Sequence, residues 1–211
     1  MHRYRILYHK QAEIKYTSNL DLYKVWERSC RRAKVPLVYS QGFHPQPKIN
    51  LACPLPLGIT SEAELVDIWL QEWNEPDALK ACLNKAVPPG ISVKQIEEVT
   101  ISEPAIQTTI QSARYQVNYH AEIDFDELKL KVESMLLNTD IVRQRRNKQY
   151  NLRPLVFELG LHHLENEKVV IEMLLSASEG KTGRPDEVLL ELGLDPTHAD
   201  IIRVQLNRNQ S

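Results

Sequence analysis

One histidine of the chain stands in a setting suited to chemistry. His44 lies in the stretch YSQGFHPQPKINLACPLPLG (39–58), between Phe43 and Pro45 and four residues before Lys48. An imidazole changes charge near neutrality and can serve as a general acid or base. A lysine close by can steady an oxyanion or a phosphate. No Asp or Glu occurs in 39–58, so any group that orients the ring must come from elsewhere in the fold. Three readings stand open: a catalytic histidine, one that contacts a ligand together with Gln41 and Lys48, or one that pins the loop. The glycines and prolines of the stretch stop it from continuing as a helix or a central strand. A stiff turn that presents a binding surface therefore fits it better than a self-contained active site.

A second constellation is basic. IVRQRRNKQYNLRPLVF (141–157) carries Arg143, Arg145, Arg146, Lys148 and Arg153, no acid, and Tyr150 among them. On an extended strand Arg143 and Arg145 share one face, and Arg146 and Lys148 the other, unless a turn at Asn147 intervenes. Guanidinium groups beside an exposed aromatic ring suit single-stranded RNA, whose phosphates take the cation and whose bases stack on the ring. A partner protein's acidic patch and a plain solvated strand are the other readings.

EGKTGRPDEV (179–188) contains a GKT triplet, but a phosphate-binding P-loop needs glycine five residues before the GK glycine, and Leu175 stands there. What remains is a loop that bears Lys181 and Arg184 just ahead of a helix, where free backbone N–H groups and two cations suit an anion. His162 and His163 are sequential, so on a strand they point to opposite faces and do not easily share a metal.

Charge is segregated along the 211 residues. The net balance is +7 over 1–60, −9 over 61–140, +5 over 141–157 and −5 over 158–211. Two basic blocks in an otherwise acidic chain form a localised electropositive surface if they meet in space, and such a surface attracts phosphate backbones. With 42% hydrophobic and 26% charged residues, the composition is that of a globular protein. No apolar run is long enough to span a membrane, and the N-terminus does not read as a signal peptide. Cys30, Cys53 and Cys82 show no CxxC spacing, which leaves no sequence-local zinc or iron–sulfur site. They fit a reducing, cytoplasmic setting.

The elements that must position these residues follow from periodicity. Residues 3–9 alternate as a strand. Ser18 caps a helix whose Leu22, Val25, Trp26, Cys30 and Ala33 form one apolar stripe, with Arg28, Arg31 and Arg32 off it. A strand lies within 49–53 and another over 63–71. A helix begins around Pro76, bracketed by Asn74 and Asp77, and a strand covers 91–99. The polar stretch 100–112 reads as a linker. The order then recurs: strand 114–123, helix 124–137, strands 141–146, 152–162 and 168–176, a helix opening at Pro185 and ending at Gly193, and strand 200–206. The expectation is an α+β protein of two tandem ferredoxin-like (β-α-β-β-α-β) halves with antiparallel sheets, over 1–99 and 113–208.

The stretch TSNLDLYKVWERSCRRAKVPLVYSQGFHPQPKINLACPLPLGITSEAEL (17–65), with the later YNLRPLV and TGRPDEVLLELGL, resembles the radical-SAM-linked proteins, a bacterial family of unknown function. The resemblance covers residues 2–206. It implies a companion of a radical SAM enzyme, fused to it or encoded beside it, with a role in modification or processing of tRNA or rRNA. The cluster motif CxxxCxxC of such enzymes is absent here. The resemblance therefore implies that the iron–sulfur cluster and S-adenosylmethionine belong to a partner chain, with no cofactor in this one. The leading expectation is an RNA-binding or substrate-presenting module. A metal-independent endoribonuclease that uses His44 and Lys48, similar in architecture to CRISPR repeat-processing enzymes, and a protein-interaction scaffold are the alternatives.

Overall fold

The computed structural model describes residues 1–145, 147–163 and 169–209, and of His163 the backbone alone. Among them no helix is long and apolar enough to cross a membrane. The fold is α+β with mostly antiparallel pairing. The chain divides into two compact units, Met1–Ile110 and Gln111–Ser211.

The first unit runs β1 (His2–Lys10), α1 (Asn19–Arg32), β2 (Ile49–Leu51), β3 (Thr60–Leu70), α2 (Pro76–Ala86), β4 (Ile91–Val99) and α3 (Ile106–Thr109). Its strands lie in the order β2-β3-β1-β4, each pair antiparallel. Strand alternation sorts β1 into two faces. Tyr4, Ile6 and Tyr8 are buried against Leu22, Trp26 and Cys30 of α1 and Leu79 and Leu83 of α2. Tyr8 meets Trp26 edge-on at 4.9 Å, a geometry worth ~0.5–1.5 kcal/mol beyond the area it buries. Ser18 caps α1, its Oγ accepting from Asp21 N at 3.2 Å. Lys34, at φ 56°, closes the helix while Val35 N donates back to Cys30 O at 2.9 Å. At α2, Glu75 is the N-cap and accepts from Ala78 N at 2.8 Å. Pro76 takes the first helical position, so the cap falls on the residue before it.

The other face of β1 is ionic. Arg5 stands directly across from Asp67 of β3. Asp67, fully buried, accepts from Arg3 Nη2 at 2.6 Å and from Arg5 Nε at 2.9 Å. Arg3 also donates to Glu103 O at 2.7 Å and Pro104 O at 2.8 Å, and Arg5 to Glu103 Oε2 at 3.1 Å. These bonds fix a segment that periodicity reads as a linker. Within 100–112, α3 buries Ile106 and a new strand starts at Ile110. The charges that order this segment are a hundred residues away in sequence, which is why its own pattern is weak.

The second unit runs β5 (Ile110–Tyr119), α4 (Phe125–Leu137), β6 (Val142–Arg145), β7 (Lys148–Asn151), β8 (Val156–His163), β9 (Val169–Ser178), β10 (Lys181–Thr182), α5 (Pro185–Glu191) and β11 (Ala199–Arg208). Its strands are ordered β9-β5-β11, and both β8 and β10 pair with β9. Tyr115, Val117 and Tyr119 of β5 are buried, as are Leu128, Val132 and Met135 of α4 and Ile171, Met173 and Leu175 of β9. Strand β5 ends at Tyr119, so Ala121 and Ile123 fall outside it. Asp124 then caps α4 through Asp126 N and Glu127 N, both at 3.0 Å. The basic segment is a two-stranded hairpin, β6–β7, separate from the main sheet.

Candidate functional site

The hairpin turns at Asn147, which adopts φ 63°, a left-handed conformation that asparagine tolerates better than most residues. The turn sets Arg145 opposite Lys148 and Arg143 opposite Tyr150. Its base is tied by Asn151, whose Oδ1 accepts from Ile141 N at 2.9 Å and from Arg153 N at 3.0 Å. Arg143 holds the hairpin to α5, donating to Glu187 at 3.1 Å and to Glu191 at 3.2 Å.

The facing wall is the β9–β10 turn. Gly180 sits there at φ 74°, a value that suits glycine. Gly183 follows, its N–H donating to Ser176 O at 2.7 Å. A Cβ on Gly183 would lie 2.8 Å from Leu155 O, so only glycine lets the β10–α5 connection come this close to the chain ahead of β8.

Between these walls lies a concavity of about 870 Å³, lined by Arg145, Lys148 and Tyr150 of the hairpin, Phe157 of β8, and Lys181 and Arg184. The cations divide by partner. Arg184 is turned to Asp186, at 2.7 and 3.0 Å. Arg145, Lys148 and Lys181 have no carboxylate at ion-pair distance among the described residues. Desolvation by burial pushes the Tyr150 phenol up, and the Glu187 carboxylate adds to this, while Arg143 and Arg145 oppose it. The ring is therefore neutral at physiological pH.

The structure thus brings together Arg145, Lys148, Tyr150, Lys181 and Arg184, which come from two stretches of sequence. Arg143 is engaged with α5. Arg153 is engaged with backbone, donating to Leu136 O at 3.0 Å and Val156 O at 2.7 Å. Arg184 faces its own helix, and that helix spans only seven residues with Pro185 first. Proline lacks one N–H, and the following N–H groups of this first turn carry no side-chain cap. Arg146 lies outside the described residues. Phe157, half exposed at 51%, lines the concavity and does not stand out in the sequence. The signal for it was the aromatic that ends the basic run 141–157.

The remaining expected residues belong to the first unit. Arg28 and Arg31 are exposed on α1. Arg32 donates from Nε to Ala86 O at 2.9 Å, closing the C-terminal end of α2. The loop 39–47 is clamped at its neck: Tyr39 bridges Pro47, Ser40 N donates to Gln46 O at 2.8 Å, and Tyr23 Oη donates to Pro47 O at 2.6 Å. Gly42 at φ 136° leaves Gln41, Phe43 and His44 exposed at the tip, with Lys48 exposed beyond the neck. Among the described residues no carboxylate stands at ion-pair distance from the His44 imidazole.

In fold, the chain is similar to a chain in the crystal structure of a Cbf5–Nop10–Gar1 complex, with a TM-score of 0.54 and 10% identity over 96% of this chain and 48% of that one. It also matches a chain of an H/ACA RNP bound to a substrate RNA containing 2′-deoxyuridine, with a TM-score of 0.48 and 11% identity over 99% of this chain and 47% of that one. The chain therefore spans about half the length of each. A search of curated proteins finds no match to its sequence. The sequence profile of one family matches residues 3–185, and the chain belongs to that family, described as "Uncharacterized protein conserved in bacteria (DUF2344)".

Proposed function

We propose that the chain is an RNA-binding accessory module that holds RNA for a separate radical SAM enzyme acting in tRNA or rRNA modification or processing. A single observation carries the RNA reading: Arg145, Lys148 and Lys181 line one concavity without acidic partners among the described residues, beside two aromatic rings. Cations left without internal partners are available to phosphate, and rings beside them offer stacking faces. The fold does not supply this reading, because one fold hosts many functions. The radical SAM partnership rests on the resemblance of the sequence motifs. Each unit is read as a ferredoxin-like half. Support comes from the strand orders β2-β3-β1-β4 and β8-β9-β5-β11, with β6–β7 and β10 as additions to the second.

The test is a filter-binding titration against tRNA and short single-stranded RNA. Binding at low salt that weakens steeply as salt rises is the expected result. No binding at low salt would sink the proposal. Co-purification with a radical SAM enzyme that survives RNase treatment tests the partnership separately.

A further inference from the structure

We infer that the concavity of the second unit selects unpaired nucleotides, taking a short single-stranded stretch with phosphates on Arg145, Lys148 and Lys181 and bases against Tyr150 and Phe157, and excluding duplex; this rests on the RNA-binding reading above.

A site for a bare polyanion needs cations and no more. This one adds two rings, and the backbone sets both. The β8–β9 pairing slips between Val156 and Glu158, so Val156 opposes Leu175 while Glu158 opposes Leu174. Phe157 is the extra residue at this irregularity. Val156 stays buried, whereas Phe157 reaches the concavity, 51% exposed. Bulges re-aim side chains in this way, and they concentrate next to functional sites. Tyr150 is placed by its register opposite Arg143, which α5 draws away from the concavity. The Tyr150 hydroxyl has no hydrogen-bond partner among the described residues, so a polar contact does not account for its place.

Size points the same way. A concavity of about 870 Å³ lies within the ~300–1,000 Å³ typical of small-ligand sites. It can hold a few splayed nucleotides. Double-stranded RNA is instead read by shape across two successive minor grooves, over ~16 base pairs, which calls for an extended surface.

Hydroxyl groups in the wall indicate the sequence preference. Ser176 Oγ donates to Lys181 O, Ser178 Oγ to Gln111 O at 3.2 Å, and Thr182 Oγ1 to Ser178 O at 3.4 Å. Their protons are committed to backbone, so toward a base they offer acceptor lone pairs only. Such a wall discriminates bases weakly, and stacking tolerates every base. The site therefore reads strandedness and not sequence.

The experiment titrates the full chain with fluorescein-labelled oligo-U and oligo-A, a blunt RNA duplex of the same length, and inorganic polyphosphate. Oligo-U and oligo-A should bind within a few-fold of each other, and both roughly tenfold or more tighter than duplex or polyphosphate. Tyr150→Ala and Phe157→Ala should each weaken single-strand binding roughly 5- to 100-fold and leave polyphosphate binding unchanged. Tyr150→Phe should retain affinity, and Phe157→Ala, at a half-exposed position, provides a second readout if Tyr150→Ala unfolds. Duplex or polyphosphate bound as tightly as single strands, or alanine variants that bind RNA normally, would overturn the inference and leave RNA binding standing. Absence of binding to all four ligands would overturn both.

Discussion

Arg145 and Lys148 face each other as a direct cross-strand pair at the tip of the β6–β7 hairpin, two cations with no carboxylate beside them among the described residues. Like charges directly opposite on one face of a strand pair are destabilising. The hairpin keeps that repulsion, and a bound phosphate would relieve it. Stability and binding should therefore move in opposite directions. Lys148→Glu should raise the melting temperature by about 1–3 °C, from a gain of some tenths of a kcal/mol, and weaken RNA binding about tenfold or more. Thermal denaturation and a binding titration on one preparation check both signs.

Arg143 illustrates the difference between holding the site and touching the ligand. It joins the hairpin to Glu187 and Glu191 of α5. Its replacement by alanine should cost about 1.5–3 kcal/mol of stability, the range for hydrogen bonds to charged groups, and should weaken RNA binding by loosening the hairpin. The dependence of affinity on salt should stay as in the wild type, because no phosphate contact is lost. Denaturant unfolding and a salt series separate the two effects.

Asp67 is the keystone of the first unit's ionic face, fully buried between Arg3 and Arg5. Asp67→Asn leaves two buried guanidinium groups short of their counter-charge. Removing one partner from a buried cluster costs about 3–5 kcal/mol. Urea denaturation should show a loss of that size, and hydrogen exchange should rise over 100–109, where the same arginines hold Glu103 and Pro104.

Cys30 ties stability to alkaline pH. Burial pushes its thiol up to about 12, well above the ordinary range of a cysteine. The folded state therefore holds this proton more tightly than the unfolded chain. The stabilisation is fully present below pH ~9 and falls away as pH rises from there toward ~12. In a melting series over that window the wild type should lose stability more steeply than Cys30→Ala, and native Cys30 should resist alkylation that reaches it after unfolding.

Local chemistry was readable from sequence, and tertiary pairing was not. The Ser18 cap and the α1 stripe each depend on residues within a few positions, so their spacing announced them, and the turn at Asn147 stood as one of two open readings of its segment. Arg32, Arg143, Arg153 and Arg184 look like equivalent free cations in sequence, yet all four are engaged within the fold. Arg184 has its partner, Asp186, nearby in the chain, and Arg153 and Arg32 each have one near contact as well, to Val156 and Ser29. Glu187, Ala86 and Leu136 are brought to the other three by folding, at separations that periodicity does not report. The segment 100–112 reads as a linker for the same reason, since Arg3 and Arg5 lie at the opposite end of the unit's sequence. Phe157 was hidden by a register irregularity that depends on β9. The meeting of the 143–150 and 180–184 stretches at one concavity came from topology.

The most direct measurement is the salt dependence of RNA affinity for the wild type and for the triple variant Arg145→Gln, Lys148→Gln, Lys181→Gln. Each phosphate contact on single-stranded RNA contributes about −0.7 to the slope of log K against log salt. The account predicts that the triple variant binds far more weakly and that its slope is shallower by about 2. A triple variant with wild-type affinity and slope would contradict it.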